Sequence, residues 1–104
     1  MIEFIEGELL TKGINYVVVR LGGVGCRISV SSLTLDALPP VKEEVVLYTY
    51  LQIREDEISL FGFLSLEERE TFSLLLTISG VGPKLALAVL SRLSVPELKR
   101  AIIF

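Results

Sequence analysis

The residues best suited to bind an anion form a Gly-Val-Gly-Pro-Lys stretch in the C-terminal half of the chain. Gly80 and Gly82 flank the apolar residue Val81, and glycine adopts backbone conformations that other residues rarely reach. Pro83 stands where a helix can begin, because its missing N–H costs nothing there. Backbone N–H groups at a helix N-terminus, with Lys84 in the first turn, make a site for one anionic group such as a phosphate.

The same stretch also has a purely structural explanation, in which a helix C-cap is followed by the start of a new helix. Apolar residues recur beyond Pro83 at three- and four-residue spacing, which predicts one packed face of a helix: Leu85, Ala86, Val89, Leu90 and Leu93. Both explanations predict the same tight turn between two helices, and the stretch alone does not decide between them.

A second candidate site consists of Glu55, Asp56 and Glu57, which lie between two runs of strand character. Residues 45–54 and 58–63 predict a tight hairpin with these carboxylates at its tip. Clustered carboxylates can bind Mg²⁺, as in a metal-dependent nuclease. They are also ordinary in a solvated turn, and they can repel phosphates.

The composition excludes several kinds of protein. Of the 104 residues, 51% are hydrophobic, which predicts a well-buried core. Ten Lys and Arg against thirteen Asp and Glu give a net charge of -3, so any contact with DNA must be local. The chain has no histidine and one cysteine, Cys26, which we interpret as a core residue. We predict no catalytic residue, no metal site and no cofactor, and the chain lacks a Walker-type loop for ATP.

Five short strands are predicted in the first part of the chain, at residues 2–11, 16–21, 26–30, 45–54 and 58–63. The glycine cluster at residues 22–25 is followed by a strand, so we interpret it as a turn or bulge. A brief helix or loop at residues 31–38 follows the third strand. This order matches a small, closed or partly open β-barrel of the OB type.

The hydrophobic period changes from strand to helix after Phe63. Ser65 and Glu68 form a capping box that opens a helix, and Ser94 and Glu97 form a second box that opens another. We therefore predict an α+β protein, with an OB-fold domain over residues 1–63 and a partial helix-hairpin-helix domain over residues 64–104. The last residues, 102–104, make a poor soluble terminus, so we expect them to pack on a neighbour or to belong to a longer protein.

The acidic hairpin and the glycine-containing turn occur together in an order that closely resembles the RuvA family. These proteins are the Holliday-junction-binding subunits of a bacterial branch-migration complex. The segments that carry the resemblance are residues 54–63, 67–72 and 80–88, together with Gly7 and the turn at residues 22–25. The resemblance implies a fourfold-symmetric homotetramer that holds a four-way junction open and nearly flat, with two tetramers face to face as a further possibility.

The resemblance also implies roles for individual residues. It assigns Glu55 and Asp56 to an acidic pin at the junction centre. It assigns the grip on the duplex backbone, without reading of bases, to five residues of the helical turn: Ser79, Gly80, Val81, Gly82 and Lys84.

The partners implied by the resemblance are four-way junction DNA, the RuvB ATPase motor and the RuvC junction resolvase. The implied setting is homologous recombination, DNA repair and the SOS response in the cytoplasm, with no membrane contact. Family members carry a second helix-hairpin-helix and a tethered motor-binding domain beyond residue 104, so we expect weaker clamping and weaker motor recruitment from these residues alone. A metal-dependent nuclease and a protein-binding adaptor remain as alternatives.

Overall fold

Five strands and four helices make up the described part of the chain. The structure is a computed structural model that describes the backbone of residues 1–103 and the side chains of residues 1–100. The strands are β1 (Phe4–Lys12), β2 (Tyr16–Leu21), β3 (Val24–Ser29), β4 (Glu44–Ile53) and β5 (Ile58–Phe63). The helices are α1 (Ser32–Ala37), α2 (Leu66–Leu76), α3 (Pro83–Leu90) and α4 (Val95–Ile103). Within these residues no helix is long and apolar enough to cross a membrane.

The five strands close into a barrel in the order β1-β2-β3-β5-β4. Four of the neighbouring pairs are antiparallel, and the parallel pair between β3 and β5 closes the barrel through Ser29 and Phe61. Helix α1 lies in the connection between β3 and β4. The predicted fold class, an OB-type barrel followed by helices, is confirmed, and the barrel closure that strand order alone left open is present.

Alternate residues of the strands fill the barrel, because successive side chains of a strand point to opposite faces. The buried apolar cluster comprises Ile5, Leu9, Val17, Val19, Ile28, Val30, Leu38, Val45, Leu47 and Leu60. Cys26 is half-buried and packs against this cluster, as expected of a small core residue. The predicted turn after β2 is also present, since Gly22 has φ +64° and only two residues separate the paired Leu21 and Val24.

One glycine is required where two strands of the barrel approach each other closely. A Cβ at Gly7 in β1 would collide with the carbonyl oxygen of Arg20 in β2. A backbone carbonyl within a strand cannot withdraw as the end of a flexible side chain can. Gly7 therefore sets how closely β1 and β2 pack.

A second apolar cluster joins the outside of the barrel to the helices. Phe72 of α2 is fully buried, and its ring centroid lies 4.8 Å from that of Phe63, 5.2 Å from that of Phe61 and 5.4 Å from that of Tyr50. Leu75, Ala86, Leu90 and Leu98 from the three C-terminal helices complete the buried part of the cluster. The aromatic residues of β4 and β5 therefore form the seat on which α2 rests.

Polar contacts tie α2 and α3 to the barrel, or to the helix α1 inserted in it, at three further points. Arg69 of α2 donates to the carbonyl oxygen of Glu3 at 2.9 Å. The Ser32 N–H, at the start of α1, donates to the hydroxyl of Ser91 at the end of α3 at 3.0 Å. The third point involves the capping box of α2.

The capping box at the start of α2 is confirmed in one half and differs in the other. Ser65 Oγ accepts from the N–H of Glu68 at 3.1 Å, as predicted. The Glu68 carboxylate, however, accepts from the N–H of Leu64 at 3.4 Å and from the hydroxyl of Thr34 at 3.2 Å, rather than from the N–H of Ser65. Thr34 is buried in α1, so the carboxylate is drawn toward α1 and links the two helices.

The second predicted capping box is complete. The Ser94 N–H donates to Glu97 Oε1 at 2.9 Å, and the Glu97 N–H donates to Ser94 Oγ at 3.4 Å. The hydrogen bond from the Ser94 backbone lowers the pKa of Glu97 below its usual range. The cap is therefore present above the carboxyl's unfolded-state pKa and weakens as pH falls through the lowered value. The packing expected of residues 102–104 lies outside the described side chains.

We expect Gly7→Ala to lower the free energy of unfolding by about 1–3 kcal/mol, because the added methyl group forces β1 and β2 apart. Urea unfolding followed by circular dichroism measures this change. Gly23→Ala is the matched control, since a Cβ there meets nothing within 4 Å. Its effect should stay within about 0.5 kcal/mol. Equal destabilisation by both substitutions would contradict the close approach at Gly7.

Candidate nucleic-acid interface

The β4–β5 hairpin carries the acidic candidate site at its tip. The N–H of Arg54 donates to the carbonyl oxygen of Glu57 at 2.7 Å and closes the turn. Glu55 and Asp56 are the central residues of the turn, and both are exposed. Their carboxylates therefore stand at the outer end of the hairpin, in the order that the sequence predicted.

This hairpin extends beyond the barrel as a two-stranded arm, which we define as residues 51–60. The pairing of β1 with β4 reaches Tyr48, and the pairing of β3 with β5 involves Phe61. From Leu51 outward, β4 and β5 pair with each other up to the base of the turn. Within the described strand pairs, the arm has no other neighbour, so the acidic tip is held away from the barrel wall.

The third acidic residue, Glu57, is placed differently from its two neighbours. Its carboxylate accepts a hydrogen bond from the hydroxyl of Ser59 at 2.6 Å and so folds back along β5. Within the described residues, no group of three or more His, Cys, Asp or Glu side chains is arranged to hold a metal ion. The three carboxylates on which the nuclease alternative depends are therefore not brought together. Sequence reasoning missed Ser59, although spacing of two residues along a strand places side chains on one face.

The second candidate site is the turn between α2 and α3. Helix α2 ends at Leu76, the N–H of Val81 donates to the carbonyl oxygen of Ile78 at 3.0 Å, and α3 begins at Pro83. Val81 is half-buried and packs against the helical cluster, so it anchors the turn from within. The predicted run of free N–H groups therefore does not include that of Val81.

The two glycines of this turn have different reasons to be glycine. Gly80 has φ +85°, a left-handed conformation that disfavours other residues. Gly82 has φ -96° and ψ 178°, an extended conformation that any residue adopts and that the position before a proline favours. A Cβ at Gly82 would meet nothing within 4 Å. The backbone conformation of the turn thus explains why residue 80 is glycine, but it does not explain why residue 82 is.

Glycine at position 82 leaves the N-terminus of α3 open. Gly82 is the N-cap residue and has no side chain to accept from the first-turn N–H groups of Lys84 and Leu85. The first turn contains no acidic residue, and Lys84 is exposed beside it. The helix dipole, the uncapped N–H groups and the ammonium group all favour an anion at this point. Ser79 and Gly80, which precede this N-terminus in the chain, are also exposed.

The predicted buried face of α3 is confirmed except at Leu85, and α3 ends at Leu90, so Leu93 packs from the segment after the helix. Ala86 and Leu90 are buried, and Val89 and Leu93 are half-buried in the helical cluster. Leu85, which the spacing assigned to this face, is 51% exposed. It lies one residue, about 100° of rotation, before Ala86 and therefore at the edge of the buried stripe.

Comparison with protein families gives two matches that together span most of the chain. A family described as the RuvA N terminal domain matches residues 1–62. A family described as a SAM-like helix-hairpin-helix tandem matches residues 72–103, which include the turn between α2 and α3.

Individual relatives match along the whole chain. A protein of Chlorobaculum parvum named Holliday junction branch migration complex subunit RuvA is 52% identical over 103 residues, which is 99% of this chain and 50% of the relative. Proteins of the same name from Symbiobacterium thermophilum and Acetivibrio thermocellus are 48% and 45% identical, over 100% and 99% of this chain. The chain spans about half the length of the curated relatives it matches.

We expect substitutions at the two turn glycines to have different effects on stability. Gly80→Ala forces a left-handed conformation on a residue with a Cβ and should cost about 1–2 kcal/mol. The Cβ of a serine at position 82 meets nothing within 4 Å, and the side chain supplies a capping hydroxyl. The free energy of unfolding of Gly82→Ser should therefore stay the same or rise by roughly a few tenths of a kcal/mol. Thermal unfolding of the two variants compares them. A Gly82→Ser variant as unstable as Gly80→Ala would mean that the turn itself requires Gly82.

Proposed function

The chain belongs to the RuvA family, and on that premise we propose that it is a non-catalytic DNA-binding subunit specific for four-way (Holliday) junctions. It holds the junction open and presents it to a separate ATPase motor, RuvB, for branch migration in homologous recombination and DNA repair. One observation carries the proposal. The same chain has an uncapped helix N-terminus, which attracts phosphate, and an acidic hairpin tip, which repels it.

The turn between α2 and α3 supplies the grip on DNA in this proposal. The N–H groups of Lys84 and Leu85 and the ammonium group of Lys84 bind one phosphate of a duplex arm. Contacts of this kind position the backbone and carry no information about base sequence. The duplex can therefore shift along the grip while the branch point moves.

The acidic tip supplies repulsion at the place where the four arms meet. Two like unit charges 4 Å apart near a protein surface repel each other by about 4 kcal/mol. Carboxylates of Glu55 and Asp56 next to the crossover phosphates therefore disfavour stacked arms and favour an open centre. The negative net charge of the chain is compatible with this division, since attraction is confined to the helical turn.

Selectivity for a junction over a linear duplex requires a fixed distance and orientation between the turn that grips DNA and the acidic tip. The packing of Phe72 against Tyr50, Phe61 and Phe63 supports such a relation, because those three residues belong to the strands of the arm hairpin. The contact between Glu68 and Thr34 adds a connection between α2 and α1, the helix inserted between two barrel strands. A linear duplex can occupy the grip, but it has no branch point to receive the tip, so its phosphates are repelled by the carboxylates there.

We propose that the working form is a homotetramer that matches the fourfold arrangement of junction arms, with a second tetramer able to cover the opposite face. The relatives are named as subunits of a complex, which supports assembly. Exposed apolar residues in α2 and just after it also favour burial by a neighbouring subunit: Leu66, Leu74 and Ile78. The RuvB motor and the RuvC resolvase join this assembly on the junction, and the cytoplasm is the proposed compartment.

We expect the chain to bind a four-way junction more tightly than a linear duplex of the same arm sequence in a gel-shift competition. Lys84→Ala should weaken binding to both DNAs by a similar factor. It should also reduce the slope of log affinity against log salt concentration by about one, because one fewer counterion is released. Gly82→Asp places a carboxylate in the anion site and should weaken binding further, whereas the neutral Gly82→Ser separates the effect of charge from that of the cap. Equal affinity of the unmodified chain for junction and duplex would contradict the proposal.

We expect the double variant Glu55→Gln/Asp56→Asn to bind linear duplex more tightly than the unmodified chain, because the repulsion at the tip is removed. The preference for the junction should fall accordingly. Glu57→Gln is the matched control and should change the preference less, since Ser59 already holds that carboxylate against the arm. Incubation of the unmodified chain with labelled junction and Mg²⁺ tests the nuclease alternative. Strand cleavage that is lost in the double variant would favour that alternative.

A further inference from the structure

One face of the β4–β5 hairpin continues the barrel interior outward, and at the end of the arm the barrel no longer covers it. Strand alternation places three cross-strand pairs on this face: Thr49 with Gly62, Leu51 with Leu60, and Ile53 with Ile58. Leu60 belongs to the barrel core and Leu51 packs against it. The inner apolar row of the barrel therefore continues past the rim and ends in the pair Ile53 and Ile58, which we call the isoleucine pair.

The isoleucine pair lies in solvent immediately below the acidic tip. Ile53 is 62% exposed and Ile58 is 71% exposed, although the next pair inward is half-buried or buried. The opposite face of the arm is polar here, with Gln52 paired with Ser59. The end of the arm is thus amphipathic, and its apolar side faces away from the hydrogen bond between Ser59 and Glu57.

We propose that the isoleucine pair contacts nucleobases that lose a stacking partner at the crossover of a four-way junction. This inference rests on the proposed function and adds a second role for the arm at the same site. Apolar side chains that contact base steps are an established way for proteins to hold DNA in an unstacked form. In this chain the tip keeps phosphates away, and the isoleucine pair lowers the cost of exposing the bases.

The charge of the tip favours bases over the other possible occupants of this surface. Residues 54–57 comprise one arginine and three acidic residues, so a phosphate backbone is repelled from the end of the arm. A second copy of the arm carries the same charge and is repelled for the same reason. A nucleobase is uncharged, and its flat face can pack against an aliphatic side chain.

The pair also has a structural role, because β-branched residues directly opposite each other stabilise a hairpin. The test must therefore keep the hairpin and remove only the apolar surface. Ile53→Thr/Ile58→Thr does this, since threonine is β-branched and common in strands. Ile53→Val/Ile58→Val keeps both the shape and the apolar character. Ile14→Thr is the matched control for loss of an exposed isoleucine elsewhere, because Ile14 is 84% exposed in the loop between β1 and β2.

The experiment uses the full chain and a four-way junction with 2-aminopurine next to the crossover, since its fluorescence rises when the base unstacks. We expect the unmodified chain to raise the fluorescence and the Thr/Thr variant to reduce that rise at least twofold at saturation. The Val/Val and Ile14→Thr variants should keep it. Circular dichroism and junction affinity, measured in parallel, show whether each variant is folded and bound. If Thr/Thr does not fold, a smaller rise with the single variant Ile58→Thr supports the inference, and an unchanged rise overturns it.

The outcomes separate this inference from the proposed function. An unchanged fluorescence rise in a folded, bound Thr/Thr variant overturns the inference and leaves junction binding in place. A change in subunit number by light scattering in that variant, with the fluorescence rise per bound tetramer unchanged, assigns the pair to contacts between copies and also overturns it. If the unmodified chain does not prefer the junction, the proposed function fails and the inference fails with it.

Discussion

The burial of Phe72 is the interaction on which the rest of the arrangement depends. A single aromatic ring from α2 fills the space above three aromatic residues of β4 and β5, and the other helices pack around the same cluster. Because β4 and β5 also form the arm, this contact fixes the helical turn relative to the acidic tip. Without it, the barrel and the helices would be two small units, each with too little buried surface to hold a defined angle.

The two candidate sites have opposite electrostatic character, and in each the neighbouring residues decide which groups face solvent. At the start of α3, the absence of a capping side chain leaves first-turn N–H groups for an external acceptor. At the tip, Ser59 draws one of three carboxylates back along the strand. A Ser or Asp at position 82 would cap the helix, so the chain gives up a small amount of helix stability at the point where we propose that an anion binds.

Most of the fold could be predicted from the sequence, because alternation, glycine turns and capping boxes are local signals. The strand Ile58–Phe63 and the hairpin tip at Glu55 and Asp56 were predicted at their observed positions. The contact of Glu68 with Thr34, the exposure of Leu85 and the fold-back of Glu57 were not. Each of these depends on which elements pack together or on which rotamer a side chain adopts. The spacing of residues along the chain predicts neither the packing partner nor the rotamer. The different reasons for Gly80 and Gly82 likewise needed backbone angles.

The closure of the barrel has a mechanical consequence. Strands β3 and β5 meet through one residue pair, Ser29 and Phe61, whereas β4 and β5 are paired along the whole length of β5. The seam between β3 and β5 is therefore the compliant part of the barrel wall, whereas the β4–β5 ladder and the helices seated on it form a stiffer unit. A load applied at the arm reaches α2 along this ladder and reaches β1 through its five residue pairs with β4, but it crosses to β3 through a single pair. In the proposed junction-bound tetramer, the arm and the helical turn would be the two ends of one stiff unit, so strain at the branch point would be transmitted to the proposed duplex grip.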